Sequence, residues 1–352
     1  MIELLTKLPK YFISTVLPLN YTLSLTYRCN SRCKTCRVYE RDSSNELTLK
    51  EWTEIFKGLR HSPYWATLSG GEPFLREDLI EIHDSLCEIC KPAIVNIPTN
   101  GLLTERIVDW AWEMCMRHQD TKLVINVSID SYGKCNDEIR GVPNAFNKSV
   151  ETLHQLKALK LDNLTIGIHT VISTFNVNEF PTICNGLIAL EPDQYIVEVA
   201  ERRNELLTTN LSITPLWQEY QVAIEHLLQR TNNVRRLAKI TQAFRAQYYQ
   251  NVVRILKDGR QIVPCKAGRL SVHITPNGDV TFCCIKYESI GNLRECNYNL
   301  NELWHNSQAR ELRQRQETEK CVCPLANVFY TNALLHPPTL MKVVTNLMKE
   351  PI

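Results

Sequence analysis

Three closely spaced cysteines mark the first place in this sequence where chemistry is concentrated. Cys29, Cys33 and Cys36 lie within eight residues, directly after a predicted strand. Thiolates bind zinc or iron–sulfur clusters, but a structural zinc site is closed by four ligands. A cubane cluster held by three cysteines leaves one iron open to a further ligand. The triplet therefore predicts an open iron–sulfur centre, with a zinc knuckle that lacks its fourth ligand and chance loop thiols as the alternatives.

Four more spaced thiols lie near the C-terminus. Cys265 and Cys283 flank a predicted hairpin, and Cys321 and Cys323 follow a predicted helix. The tight turn at 276–279 brings the first pair to the same end of the hairpin. Four cysteines can ligate a cubane completely, which predicts an electron carrier. A structural zinc site made by the same four thiols is the competing interpretation.

The other seven cysteines are interpreted as small apolar residues. Cys284 is also an alternative to Cys283 as a ligand, because adjacent strand residues face opposite sides. Cys87 and Cys90 share a predicted helix without a second pair, so we expect no metal there. The seven are Cys87, Cys90, Cys115, Cys135, Cys184, Cys284 and Cys296.

Composition and charge restrict the class of protein. The chain has 352 residues, 44% of them hydrophobic, and a net charge of +2, which exclude a disordered or fibrous chain. A net charge this small gives the protein no overall electrostatic field that would attract nucleic acid or an anionic membrane, so we expect no nucleic-acid partner. The first twenty residues carry two lysines and two prolines and suit neither a signal peptide nor a spanning helix. Fourteen cysteines are too few for a disulfide scaffold, and we expect a cytoplasmic protein.

The elements that position these residues alternate between strand and helix. Six strands are predicted, at 21–28, 65–69, 93–98, 122–129, 164–173 and 193–200. Helices are predicted between them, the clearest after a capping box formed by Thr48 and Glu51. The pattern predicts an α/β fold, a partial (β/α)6 barrel with a small C-terminal α+β module, and ligands bind such folds at the carboxyl ends of the strands.

Five segments follow from these patterns. They are an N-terminal amphipathic segment (1–20), the barrel (21–200), a helical bridge (201–258) interrupted near 231–233, an auxiliary module (259–330) with a hairpin and a helix at 301–316, and a C-terminal amphipathic helix (331–352). The amphipathic ends suit either a membrane surface or the open side of the barrel. We favour the second.

The CX3CX2C triplet after the first strand of a βα array resembles the radical S-adenosylmethionine (radical SAM) enzymes. Gly70, Gly71, Glu72 and Pro73 follow the second strand and are similar to the GGEP motif with which that family contacts the amino group of S-adenosylmethionine (SAM). Glycines allow close backbone approach and proline fixes the turn. The resemblance implies a [4Fe–4S] cluster on the triplet, with SAM at its open iron.

Further positions at strand ends are similar to the rest of that SAM site. Ser128 and Arg140 resemble a serine and an arginine that hold the SAM carboxylate and ribose, and a planar guanidinium suits a carboxylate. Thr99 and Asn100 close the third strand in the same site. Val171 resembles the backbone position that pairs with adenine.

Two carboxylates are candidates for catalysis. We expect Asp130 to contact ribose or substrate, with a capping role as the competitor. We expect Glu198, at the end of the sixth strand, to contact substrate, with a solvated strand end as the competitor. Thr35 departs from the family, which usually has an aromatic residue before the third cysteine, so Tyr27 or Tyr39 is a candidate for the missing ring.

The spacing CX12GX4C, from Cys265 through Gly278 to Cys283, resembles the auxiliary-cluster extensions known as SPASM and twitch domains. The dense cysteine run of a full SPASM domain is absent from the sequence. The resemblance is therefore to the shorter twitch type with one auxiliary [4Fe–4S] cluster, completed by Cys321 and Cys323.

The resemblance implies an enzyme that reductively cleaves SAM to a 5′-deoxyadenosyl radical, which abstracts hydrogen from an unactivated C–H bond. Net oxidation or bond formation follows, with the auxiliary cluster accepting an electron. Two other classes stay open: a zinc-stabilised binding module, and an iron–sulfur electron-transfer protein without SAM chemistry.

The resemblance also implies an external one-electron donor such as flavodoxin or ferredoxin. A small molecule, a peptide and a lipid all stay open as substrate. Only twenty residues precede Tyr21, which leaves no room for a separate peptide-binding domain. We therefore expect a peptide substrate somewhat less than the other two, without excluding it.

Overall fold

The computed structural model describes residues 16–230, 236–319 and 321–349. Most of the expected N-terminal segment, the expected interruption at 231–233 and the last three residues lie outside that part of the chain. The strands are β1 Asn20–Thr26, β2 Trp65–Gly70, β3 Ile94–Thr99, β4 Lys122–Ser128, β5 Leu164–Ile172, β6 Gln194–Val199, β7 Ser271–Ile274, β8 Asp279–Thr281 and β9 Ser289–Asn292.

The first six strands pair in parallel in chain order and form the partial barrel. Each lies within two residues of its predicted bounds, which confirms the α/β class. On β3, Val95 and Ile97 are fully buried under the helices, whereas Asn96 faces the lumen. The side-chain period of two thus divides each strand between an apolar outer face and a polar inner one.

The helices lie between and after the strands. They are α1 Leu49–Leu59, α2 Leu79–Cys90, α3 Thr104–Arg117, α4 Gly133–Arg140, α5 Ala145–Ala158, α6 Phe180–Ile188, α7 Trp217–Arg230, α8 Arg236–Asp258, α9 Leu300–His305, α10 Ser307–Thr318, α11 Ala326–Leu334 and α12 Pro337–Lys349. The predicted capping box of Thr48 and Glu51 is present at the start of α1. Among the described helices, none combines the length and apolar character that crossing a bilayer requires.

Amide side chains close the floor of the lumen. Asn126 donates to Asn96 Oδ1 at 2.7 Å and accepts from Gln194 Nε2 at 2.9 Å. Gly167 lies on β5 between these partners, and a Cβ there would stand 2.1 Å from Asn126 Oδ1. The missing side chain is what allows β4 and β6 to be bridged across β5.

The helical bridge covers the open edge of the barrel. β6 is the last strand of the sheet, and its Val197 N–H donates to the Tyr249 hydroxyl of α8 at 3.3 Å. Arg245 of α8 donates to Gln194 Oε1 at 2.7 Å. The C-terminal helix α12 packs against α8. An edge strand needs such cover because its backbone groups are otherwise unpaired.

The C-terminal module continues the barrel sheet. The predicted hairpin is present as β7 and β8, which pair antiparallel, and β7 pairs in parallel with β1. One sheet therefore runs from β6 to β9. The described part of the sheet joins the segments that carry the two cysteine sets.

Two expected helices are broken. The helix expected at 301–316 is split at Asn306, whose extended backbone ends α9 and whose side chain accepts from Ala309 N–H to cap α10. The C-terminal helix expected at 331–352 is split as well: its first residues belong to α11, which ends at Leu334, and Pro337 opens α12. Side-chain capping by asparagine and the missing N–H of proline explain the two breaks.

Candidate functional site

The GGEP segment lies directly against the backbone of the cysteine loop. Gly71 N–H donates to Thr26 O at 2.6 Å, and Glu72 N–H donates to Arg28 O at 2.9 Å. A Cβ on Gly71 would stand 2.1 Å from Arg28 O, and one on Gly70 would stand 2.2 Å from Thr26 O. Only glycine permits this approach, so the two motifs that are 34 residues apart in the chain form one surface.

Glu72 is fully buried at the centre of that surface. Its carboxylate accepts from Thr99 Oγ1 at 2.9 Å, from Asn100 N–H at 2.7 Å and from Phe74 N–H at 3.3 Å. Burial raises its pKa to about 7 despite these donors. Within the described residues it makes no ion pair, so a bound ammonium group fits this carboxylate.

Asn100 and α4 hold the cysteine loop from two sides. Asn100 Nδ2 donates to Asn30 Oδ1 at 2.6 Å and to Ser31 Oγ at 3.1 Å. Arg32 N–H donates to Arg140 O at 3.0 Å. A Cβ on Gly141 would stand 2.3 Å from Arg32 O, so this end of α4 also requires glycine.

Asp130 and Arg140 form a buried ion pair. Arg140 Nη1 lies 3.1 Å from Asp130 Oδ2, and Asp130 Oδ1 accepts from Val171 N–H at 2.9 Å. The carbonyl of Val171 accepts from Asn176 Nδ2 at 2.9 Å. Both carboxylate oxygens of Asp130 are thus engaged within the chain. Pairing of adenine with Val171 stays a prediction, and it would use the second lone pair of the Val171 carbonyl oxygen.

The thiols of the triplet are partly buried. Burial raises the pKa of Cys29 to about 11 and that of Cys36 to about 12. The Arg140 guanidinium acts in the opposite direction on Cys29 and Cys33. Thiolates so disfavoured fit a bound metal cluster that supplies positive charge.

The remaining predicted SAM residues differ in their surroundings. Ser128 is half-buried and on the lumen side of β4, since it alternates with Asn126. Thr35 is buried, Tyr27 is hydrogen-bonded to the Tyr287 hydroxyl at 2.9 Å, and Tyr39 stacks under the Arg32 guanidinium at 4.4 Å. Tyr27 is thus a packing residue on the side of the C-terminal module, and the source of an aromatic ring for adenine stays a prediction.

Three glutamates surround the guanidinium of Arg203 at the carboxyl end of β6, and we call this group the acidic cage (Glu198, Glu201, Arg203 and Glu205). Arg203 Nε donates to Glu201 Oε2 at 2.7 Å, and its Nη atoms lie 3.7 Å from Glu198 and 3.9 Å from Glu205. Glu198 is therefore not a solvated strand end. Burial raises the pKa of Glu201 to about 7.

The acidic cage also lies close to histidines on two strands, His169 on β5 and His273 on β7. Burial acts to raise the pKa of Glu198, but His169, at 3.5 Å, and Arg203 outweigh it and lower that pKa. Glu205 Oε1 lies 3.5 Å from His273 Nε2 on β7. Three carboxylates face one guanidinium, and burial keeps the pKa of His273 low, so the cage carries excess negative charge.

The structure brings the second cysteine set together. Cys283 and Cys321 both act to raise the pKa of the Cys265 thiol, and Cys321 and Cys323 shift each other's pKa in opposite directions, so these four thiols are near one another. Cys284 instead lies beside Glu205 and Arg203 of the acidic cage. This arrangement favours Cys283 over Cys284 as the fourth member of the set.

The spacing of the sulfurs bears on the zinc alternatives. Zn–S bonds of about 2.3 Å would place tetrahedral ligand sulfurs about 3.8 Å apart. In neither set do three sulfurs lie all within 4.8 Å of one another, among the described residues. A cubane holds its thiolates farther apart because each binds a different iron.

Sequence reasoning missed several residues of this site. Glu201, Arg203 and Glu205 follow β6 as a charged run that resembles a solvated loop, and only the burial of the two glutamates and the pairing of Glu201 with Arg203 reveal the acidic cage. Asn136 and Asn176 hold the backbone of Asp130, from its N–H at 2.9 Å and its C=O at 2.7 Å. Of the seven cysteines expected to be apolar packing residues, Cys135 is exposed and the other six are buried.

Comparison with known families gives two matches. Residues 23–186 match the model of the radical SAM superfamily. Residues 265–324 match the SPASM model, an iron–sulfur cluster-binding domain. The matched ranges contain the two cysteine sets described above.

Individual relatives agree with those matches. The chain is 28% identical over 222 residues to the Fe-coproporphyrin III synthase of Methanosarcina barkeri, a match to 60% of this chain that spans about half (51%) of that protein. It is 24% identical to the subtilosin biosynthesis protein AlbA of Bacillus subtilis, over 88% of this chain and 66% of that protein. The structure of Streptococcus suis SuiB bound to the precursor peptide SuiA superposes with a TM-score of 0.63 at 17% identity, covering 94% of this chain and 76% of that one.

Proposed function

The chain belongs to the radical SAM superfamily and carries a SPASM-type iron–sulfur domain, and on that premise we propose that it oxidises an unactivated C–H position of a peptide, forming a new bond there. When bound, SAM and the [4Fe–4S] clusters supply the one-electron chemistry: a 5′-deoxyadenosyl radical that removes hydrogen, and an auxiliary acceptor for the substrate's remaining electron. Zinc-module and pure electron-transfer alternatives are not favoured by these family matches.

The chain's own residues bind and orient SAM in this proposal. Glu72 accepts from its ammonium group, and Arg140, fixed by Asp130, grips its carboxylate or ribose. Ser128 offers a lumen-facing hydroxyl to the same molecule. Thr99 and Asn100 act through Glu72, since their donors are directed at its carboxylate.

The single observation that carries the proposal is the position of the acidic cage relative to the two cysteine sets. Burial is the main cause that raises the pKa of Cys36, and Glu205 contributes to it. Cys321 and burial raise the pKa of Cys323, and Glu201 contributes. The segment that carries the cage also contacts both cysteine-bearing loops, since Arg37 N–H, next to Cys36, donates to Leu206 O at 2.9 Å, and Asn204 Nδ2 donates to Lys286 O at 3.1 Å, three residues after Cys283. In this proposal a substrate radical forms and is oxidised beside the cage.

The cage supplies two functions there. Removal of hydrogen and then of an electron leaves a cationic carbon, and the N–H, O–H or S–H group of the peptide that bonds to this carbon releases its proton. Glu201, whose pKa is about 7, can accept that proton near neutral pH. The excess negative charge of the cage favours a substrate that presents a cationic or hydrogen-bond-donating group. Glu198 and Glu201 are the candidate substrate contacts.

Relatives support a peptide as the substrate class. AlbA is named for the biosynthesis of a bacteriocin, and SuiB is seen with a precursor peptide. The Methanosarcina relative is named for a tetrapyrrole product, which provides the competing class.

The experiment is anaerobic turnover of the cluster-reconstituted protein with SAM, a strong reductant and a pool of deuterated synthetic peptides. We expect deuterium to appear in 5′-deoxyadenosine and the peptide to lose deuterium. The Cys29→Ala, Cys33→Ala, Cys36→Ala triple variant is expected to form no 5′-deoxyadenosine. Deuterium transfer from a labelled tetrapyrrole but from no peptide would contradict the peptide proposal, and no SAM cleavage by wild type would contradict the enzyme class.

A further inference from the structure

A third group of side chains that can bind a metal lies outside the lumen, on the outer helices. His83 and Cys87 of α2 and His118 at the end of α3 each offer one ligand atom, and these atoms all lie within 4.8 Å of one another. We propose that His83, Cys87 and His118 form a zinc site, which replaces the expectation from the sequence that Cys87 binds no metal. It is independent of the proposed enzymatic function.

The spacing on α2 explains two of the ligands. His83 and Cys87 are four residues apart, so they lie on the same helix face one turn from each other. Cys87 Sγ lies 3.6 Å from His83 Nε2. Zn–N and Zn–S bonds of about 2.1 and 2.3 Å at a tetrahedral angle separate the two ligand atoms by about 3.6 Å, so this pair already has the geometry of one edge of a zinc site.

The third ligand comes from the neighbouring helix and is held by a carboxylate. His118 Nε2 lies 2.8 Å from Asp84 Oδ1, and Arg117 pairs with the other oxygen of Asp84. The rings of His83 and His118 meet edge to face with centroids 5.3 Å apart. Carboxylates that orient histidine ligands in this way are common around zinc.

Access and donor chemistry favour zinc with an open fourth position. Cys87 and His118 line a surface cleft of about 630 Å³, from which a water molecule can reach the metal. Two imidazoles and one thiolate suit zinc, whereas magnesium and calcium prefer oxygen ligands. The cysteine releases its proton when the metal binds.

The position of the cleft separates the proposed zinc site from the SAM site. Tyr64, Ala93 and Thr121 also line it, and they lie just before β2, β3 and β4. The cleft is therefore at the opposite end of the barrel from Glu72. Bound zinc would tie α2 to the end of α3 and stabilise the fold without entering the SAM chemistry.

The test uses the cluster-reconstituted full chain with one equivalent of zinc sulfate, followed by removal of unbound metal. We expect one zinc per chain, and zinc K-edge absorption spectra with one sulfur at about 2.3 Å and two nitrogens at about 2.0–2.1 Å. The zinc edge is separate from that of iron, so the clusters do not interfere.

Variants locate the metal. Cys87→Ala and His118→Ala are each expected to lose the zinc while keeping wild-type iron content. Cys90→Ala removes a buried thiol from the same helix whose Sγ is directed at Phe56 O, and it is expected to keep the zinc. A four-sulfur zinc environment, zinc far below one per chain in wild type, or full zinc retention in Cys87→Ala and His118→Ala would each overturn the proposal.

Discussion

The carboxylate of Asp130 joins two groups of the SAM site: one oxygen lies 3.1 Å from the Arg140 guanidinium, and the other accepts from the Val171 N–H at 2.9 Å. This arrangement fixes the Arg140 guanidinium relative to β5. The backbone carbonyl of Arg140 at the same time accepts from Arg32 N–H in the cysteine loop. Asp130 is accordingly a positioning residue for Arg140, and a direct contact with ribose or substrate would need one of these bonds to be shared.

Asp130→Asn is expected to weaken SAM binding about tenfold, about 1.4 kcal/mol, because the neutral amide no longer fixes the charge of Arg140. Equilibrium dialysis of SAM against the reconstituted protein measures this change. Iron content should stay at the wild-type value. Glu138 is exposed on α4, the helix that carries Arg140, and Glu138→Gln is the control variant. Equal SAM affinities of the Asp130→Asn and Glu138→Gln variants would contradict the positioning role.

Gly71→Ala is expected to abolish SAM binding and to destabilise the fold by about 1–3 kcal/mol, since its Cβ would stand 2.1 Å from the Arg28 carbonyl oxygen. Urea denaturation and SAM titration measure the two effects. The control is Gly186→Ala in α6, where the new Cβ meets only the Tyr132 ring, at 3.1 Å. Normal SAM binding by Gly71→Ala would show that the close approach is unnecessary.

SAM affinity is expected to rise with pH through about 7 and then to level, because burial raises the pKa of Glu72 to about 7 and only its ionised form attracts the ammonium group. The free energy of unfolding of the ligand-free protein changes oppositely. A folded-state pKa above the ordinary 4.5 means that this group's contribution falls as pH rises from 4.5 to about 7. Glu72→Gln should flatten both profiles, and an unchanged pH dependence of SAM affinity in that variant would contradict the assignment.

Arg203→Met is expected to lower the free energy of unfolding by about 3–5 kcal/mol at pH 8, because three buried carboxylates lose their common cation. Chemical denaturation with two spectroscopic probes measures it. The adjacent Arg202 is exposed, so Arg202→Met serves as the matched control and should change stability by less than about 0.5 kcal/mol. Equal stabilities of the two variants would mean that the acidic cage is solvated.

Cys283→Ala is expected to reduce the iron content from about eight to about four per chain, whereas Cys284→Ala should leave it near eight. The reason is that Cys283 interacts with Cys265 and Cys321, while Cys284 lies beside Arg203. Iron and sulfide analysis after anaerobic reconstitution distinguishes them. The reverse pattern would make Cys284 the ligand.

Local patterns were sufficient for the strands and for the first motifs. The alternation of apolar residues at 94–99 and the capping box at Thr48 act over a few residues, so they could be read directly. The breaks at Asn306 and before Pro337 also have local causes, but an amphipathic pattern continues across each of them.

The sequence by itself determined the six-stranded barrel, the triplet Cys29, Cys33 and Cys36, and the glycines that adjoin it, because each depends on neighbours in the chain. Only the tertiary structure decided that β7 extends the barrel sheet, that Glu201 and Arg203 are buried together, and that His118 meets Cys87. These contacts join residues from different elements, which local sequence patterns do not relate. A charged side chain is solvated in water, whereas a buried one must pair with another group or shift its pKa.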